Sequence, residues 1–183
     1  MFTRRALVLA GCVVSLTGCA GSTGSTPRET PNLGRPATQA EIAGWDISIA
    51  PDGRGLPPGS GTPSQGAQVY TQKCQACHGE KGVGGPNDRL AGGQGTLASQ
   101  TPVRTVGSYW PYATTVFDYV RRAMPYVAPH SLTADETYAL TAYLLALNGV
   151  IEQNAVMDAT TLPKVVMPNR ANFDSAYREP KRR

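Results

Sequence analysis

Five consecutive residues, Cys74-Gln75-Ala76-Cys77-His78, constrain this chain more than anything else in it. Two thiols three positions apart share one side of a helical turn. Each can reach a vinyl group on adjacent pyrroles of a porphyrin, and the next residue's imidazole then falls beneath the iron. This is the spacing of covalent haem attachment, in which tether and proximal ligand come from one short run. A macrocycle also explains how a small chain closes a core, because it supplies apolar surface that fewer than about a hundred folded residues lack. The 183 residues include 20 Gly and 15 Pro, with only 16% charged, so much of the chain runs as ordered loop or linker. That length is one domain with room for extensions.

Two other chemistries use a Cys-X-X-Cys pair: a redox dithiol and half of a zinc site. The chain has 4 Cys and 2 His, and the remaining ones, Cys12, Cys19 and His130, complete no zinc set with this pair. A thioredoxin-like dithiol opens a helix after a strand. Residues 64–73 instead read as a helix leading into the pair.

The N-terminus reads as an export address. Arg4 and Arg5 precede an apolar stretch from Ala6 to Leu16 that is too short to span a bilayer. Its end, Leu16-Thr17-Gly18-Cys19, resembles the lipobox of bacterial lipoproteins, which implies lipidation of Cys19 and cleavage before it. Several acyl chains hold a protein on a membrane where one does not. The expected location is therefore periplasmic, lipid-anchored to a bacterial membrane. The Gly, Ser, Thr and Pro residues that follow form a flexible tether. Without Arg4 and Arg5 the formal charge of +4 falls to about +2, too mild for nucleic-acid binding by charge. The basic C-terminus, Arg178 to Arg183, reads as a solvated tail.

A haem iron held by His78 needs a sixth ligand, and its identity decides the chemistry. A thioether closes the iron and gives electron transfer, whereas an open site permits catalysis or sensing. The candidates are Met124, Met157, Met167 and His130. Pro125 disfavours helical geometry at the residue before it, so a helix ends at Met124 and its thioether stands on an extended segment. Met157 and Met167 lie in a Pro-rich tail and read as packing residues. His130 is the rival ligand, with a surface loop as its other reading.

Helices are expected over about 112–123, where Val116, Phe117 and Val120 recur at helical spacing, and over 133–147. The second opens on a capping box, Thr133-Ala134-Asp135-Glu136, carries Leu140, Tyr143, Leu144 and Leu147 at intervals of three and four, and stops before Gly149. The glycine-rich runs 82–86 and 90–96 lack the ending and the preceding strand of a phosphate loop. They let backbone run close to a flat macrocycle. Tyr109, Trp110 and Tyr112 combine a ring with a polar tip, which suits a haem edge near its propionates as well as plain core.

Together these segments resemble the class I cytochrome c fold: all-α, three to five helices around one covalent haem c, with long ordered loops and extended N- and C-terminal segments. In that family a small residue and an aromatic on the first helix meet an aromatic on the last; Gly66, Tyr70 and Tyr143 match by position. Pro86 resembles the proline whose carbonyl supports the proximal histidine. The expected organisation is therefore a lipoprotein signal peptide over 1–18 and a flexible linker over 19–35, read from the N-terminal residues themselves, then an extended segment over 36–62, a cytochrome c domain over 63–150 and a C-terminal extension over 151–183.

The order of segments is narrower still. Residues 40–47, 51–59, the haem motif, 90–96, 107–112 and 121–125 are similar to those of the cytochrome subunits of periplasmic sulfite or sulfane-sulfur dehydrogenases, including the haem subunit of the Sox thiosulfate-oxidising system. That resemblance implies a non-catalytic electron-transfer subunit. It would accept single electrons from a molybdenum-cofactor subunit that performs the sulfur chemistry, and pass them to the respiratory chain. Another periplasmic dehydrogenase or redox protein remains an alternative partner, as does a haem enzyme or sensor with an open sixth position. A single Cys-X-X-Cys-His makes this a monohaem chain, unlike the larger Sox subunit with its second haem domain.

Overall fold

The computed structural model describes residues 33–174. The expected signal peptide, the lipidated Cys19, the first part of the linker and the last nine residues lie outside the described residues. From Gln39 onward the chain forms one compact unit. Its helices are α1 (Gln39–Trp45), α2 (Pro63–Lys73), α3 (Gln75–His78), α4 (Ala113–Ala123) and α5 (Ala134–Leu147). Among the described residues none is long and apolar enough to cross a membrane.

Helix α2 starts where its sequence says it should. Thr62 caps it, accepting from the Gln65 amide while the Gln65 side chain accepts from the Thr62 amide, and Pro63 occupies the first turn, where no N–H is needed. Helix α5 repeats the device with Thr133 and Glu136. It ends at Leu147, and Gly149, two residues on with a φ of 70°, turns the chain back so that Val150 donates to the Leu145 carbonyl. Most of α5 is buried, including Leu140, Leu144 and Leu145. Each such leucine contributes about 2 kcal/mol by leaving water.

Helices α2 and α5 cross at Gly66. A Cβ there would fall on the Ala139 carbonyl and within 2.7 Å of the Tyr143 Cβ, so only glycine lets the backbones meet. One turn on, the Tyr70 and Tyr143 rings lie 5.1 Å apart at a 46° tilt. The positional match of Gly66, Tyr70 and Tyr143 to the class I crossing is thus realised as contact. Lys73 closes this pair of helices with an ion pair to Glu136 at 2.6 Å. Helix α4 packs on α5 through Phe117 and Tyr138, with ring centroids 4.4 Å apart.

The flanks are part of the same body. Residues 46–62 run across α4 and α5 as a strap: Ile49 is buried, and its amide donates to Asp118. Pro51 and Pro57 present carbonyls to Thr114 and Tyr138, the latter at 2.9 Å. Ser60–Gly61 (β1) pairs antiparallel with Met157–Asp158 (β2), Ser60 opposite Asp158 and Gly61 opposite Met157. Beyond β2, short 3-10 turns at Leu162–Lys164 and Arg170–Asn172 carry Leu162 and Met167 into the core. Met157 and Met167 are therefore packing residues, as their place in the tail suggested.

Candidate haem centre

The motif sits at the join of α2 and α3. Cys74 caps both helices, and the amides of Cys77 and His78 donate to its carbonyl, so the two thiols and the imidazole occupy one tight turn. Both cysteines are free, Cys74 half-buried and Cys77 exposed. Burial pushes the Cys74 thiol up to about 11, the reverse of what a reactive dithiol requires. Among the described residues no group of three His, Cys, Asp or Glu side chains is arranged to hold a metal ion.

His78 Nδ1 lies 2.7 Å from the carbonyl oxygen of Asp88. A carbonyl can only accept, so that contact fixes the proton on Nδ1 and leaves the Nε2 lone pair for a metal. The sequence pointed to Pro86 for this support, and the structure corrects it. The Asn87 amide donates to the Cys77 carbonyl at 2.9 Å, folding the chain back under the motif after Pro86, and the carbonyl delivered beneath the imidazole is that of Asp88. Pro86 itself is exposed. The fold-back depends on Gly79, at φ 80°, and on Gly85, where a Cβ would meet the Gly79 amide at 2.5 Å and the His78 carbonyl carbon at 2.6 Å. This is one of the places where the glycine-rich sequence is needed.

The sixth-ligand candidates occupy different environments. Met124 is the C-cap of α4, with φ −123° and ψ 148°, the extended geometry expected before Pro125. It is half-buried against the core. Met157 and Met167 are 5% and 1% exposed, enclosed on all sides. His130 is exposed on the loop between α4 and α5.

The aromatic run has mixed placement. Trp110 is half-buried against the core and meets Tyr119 edge-on at 5.6 Å. Tyr109 is exposed and flanked by protein: Arg104 over its ring at 5.3 Å, Phe173 at its edge at 5.3 Å, and Asn169 donating to its carbonyl at 2.8 Å. Tyr112 is the N-cap residue of α4, with Arg170 over its ring at 5.3 Å.

Two polar groups organise the surroundings: the Asn148 side chain, which sequence analysis did not single out, and the hydroxyl of Tyr70, a residue it assigned only to the helix crossing. The Asn148 side chain donates to the Leu90 carbonyl at 3.0 Å and accepts from the Gly92 amide at 3.1 Å, pinning the second glycine-rich run to the end of α5. The Tyr70 hydroxyl donates to the Gly79 carbonyl at 2.9 Å. Asn148 stood beside a helix-stopping glycine, a weak signal; nothing in the sequence marked the hydroxyl of Tyr70.

The residues present fit a covalently held haem. Two free thiols and a metal-ready imidazole share one turn, and Cys74, Leu90, Trp110 and Met124 are half-buried apolar groups lying against the core rather than inside it. Residues 61–144 match the family described as cytochrome C oxidase, cbb3-type, subunit III. The chain is also similar to one in the crystal structure of the sulfane dehydrogenase SoxCD from Paracoccus pantotrophus. The two are 43% identical with a TM-score of 0.75, and the likeness covers 79% of this chain and 72% of that one. No protein of curated function matches.

Proposed function

Because this chain belongs to the c-type cytochromes, in the family of the sulfane dehydrogenase haem subunit, and carries one covalent haem c, we propose that Cys74 and Cys77 hold the haem, that His78 Nε2 and Met124 Sδ are its two axial ligands, and that the protein relays electrons from a molybdenum-dependent sulfite or sulfane-sulfur dehydrogenase subunit to the respiratory chain. The bound haem supplies one-electron chemistry as its iron passes between ferric and ferrous states. The protein's own part is to hold that group rigid and close its coordination. With His78 Nε2 and Met124 Sδ both bound, the iron would have no position for an exogenous ligand.

The observation that carries this reading is the contrast among the candidate ligands. Met124 is held in extended backbone at a helix end and only half-buried, while Met157 and Met167 are enclosed and His130 is out in solvent. The likeness to SoxCD supports a dehydrogenase partner. The lipobox-like Leu16-Thr17-Gly18-Cys19 supports a periplasmic site of action at a membrane surface.

Absorption spectroscopy of the holoprotein tests the ligands. Sulfur ligation gives the ferric protein a weak far-red band, and the reduced protein should not bind carbon monoxide. Ready carbon monoxide binding would overturn the closed site. For the partner, the full-length protein is purified from its host and molybdenum is measured in the eluate. A stoichiometric molybdenum enzyme is expected, and its absence would remove the dehydrogenase from the proposal.

A further inference from the structure

The Tyr70 ring fills the helix crossing, but its hydroxyl reaches elsewhere. Only 1% of the residue is exposed, its ring is held against Tyr143, and its phenol donates to the Gly79 carbonyl at 2.9 Å. Gly79 directly follows His78. The same carbonyl also accepts from the Gly82 amide, at a longer 3.3 Å. With φ 80° and ψ 172°, Gly79 has backbone that L side chains rarely adopt, so its orientation depends on the bonds made to it rather than on its own preference.

Beyond the bonds that the Cys77, His78 and Gly79 amides make within the turn itself, three contacts from outside it hold the segment that carries the imidazole. Asn87 donates to the Cys77 carbonyl at 2.9 Å, His78 Nδ1 meets the Asp88 carbonyl at 2.7 Å, and Tyr70 holds the Gly79 carbonyl. The first two come from the loop that folds back under the motif. Only the third comes from the α2–α5 crossing, where Tyr70 itself is buried.

We propose that Tyr70 is a positioning residue for His78: its hydroxyl fixes the turn at Gly79 and so keeps the imidazole aligned to donate from Nδ1 to the Asp88 carbonyl. This rests on the reading of His78 as an axial ligand. A firm Nδ1–H bond makes Nε2 a stronger donor. A stronger donor favours the ferric ion and lowers the reduction potential. Without the hydroxyl, the Gly79 carbonyl keeps only its longer bond, the turn loosens, and the imidazole proton is less well held. The helix crossing thereby tunes the iron through one phenol.

The test compares two variants of the full-length holoprotein. Tyr70→Phe keeps the ring and removes only the hydroxyl; Tyr143→Leu disturbs the same ring contact and leaves Gly79 alone. Three quantities are read: the far-red band, the reduction potential, and the exchange rate of the His78 Nδ1 proton by NMR in the reduced protein. For Tyr70→Phe the band should persist, the potential should rise, and the proton should exchange about tenfold faster, the loss expected for one hydrogen bond. For Tyr143→Leu the melting temperature should fall while potential and exchange hold. Unchanged potential and exchange in Tyr70→Phe would overturn the proposal. So would equal changes in Tyr143→Leu, since packing would then suffice. A wild-type protein whose haem is not covalently held, or that lacks the far-red band, would instead sink the axial-ligand reading on which the proposal stands.

Discussion

Gly66 of α2 lies against the Ala139 carbonyl of α5, with no room between them for even one methyl group. The closeness of the crossing follows from that absence. Gly66→Ala forces the helices apart or strains both backbones, because the obstacle is a main-chain carbonyl that cannot swing aside. The expected cost is about 3 kcal/mol, the upper end for overpacking. Chemical denaturation of the holoprotein checks it. A loss below about 1 kcal/mol would mean the crossing has slack that this structure does not show.

Met124→Ala removes the proposed thioether while leaving the α4 cap in place, since that cap is the Met124 amide bonded to the Val120 carbonyl at 3.1 Å. The ferric far-red band should vanish, the reduced protein should take up carbon monoxide, and the potential should fall substantially. Potentiometric titration and carbon monoxide difference spectra measure this. An unaltered spectrum would shift attention to His130, and a Met124→Ala/His130→Ala double variant would decide it.

Asp118 is buried, accepts from the Ile49 amide at 3.2 Å and pairs with Arg122. It is the point where the N-terminal strap is fastened to α4. Asp118→Ala leaves a buried amide without its acceptor, and the expected loss is about 2 kcal/mol. Proteolysis should then cut first within residues 46–62. Urea denaturation with limited proteolysis reads both effects.

Acid should weaken the β1–β2 region before the rest. Hydrogen bonds from Thr160 and Thr161 hold the Asp158 carboxyl down at about 2, from an ordinary value of 3.8. The folded value is below the unfolded one, so between them the unfolded chain binds more protons. The contribution is therefore complete above about pH 4 and is lost as pH falls toward 2. Glu136 is lowered in the same direction, first by its bond from Lys73. Melting temperature followed from neutral pH downward should drop across this window, and Asp158→Asn should flatten part of the decline. A flat profile in the wild type would contradict the assignment.

What the sequence made legible was whatever a local rule governs. The capping box expected at Thr133 is local chemistry, as is the box at Thr62, two residues before the start expected at Ser64, and so is the end of α4 at Met124 before a proline. The crossing partners Gly66, Tyr70 and Tyr143 were found by position in a known fold. Non-local choices were not legible. Two-residue strands such as Ser60–Gly61 and Met157–Asp158 carry no alternation to detect, so the ladder that joins the flanks was unforeseen. The switch from Pro86 to Asp88 depends on how tightly the chain turns at Gly79 and Gly85, a geometry that spacing alone does not specify. Helix α1 buries none of its residues, and it left no apolar stripe to read.

The ladder also separates two things easily taken as one. A chain ending at Gly149 would keep both thiols, the imidazole, Met124 and all five helices. It would nonetheless leave Ser60–Gly61 without a mate, and open the hollows that Met157, Leu162 and Met167 occupy. The portion that carries the chemistry is thus smaller than the portion that builds the core. Anyone transplanting this electron relay into another protein must take the seemingly dispensable tail along with the motif.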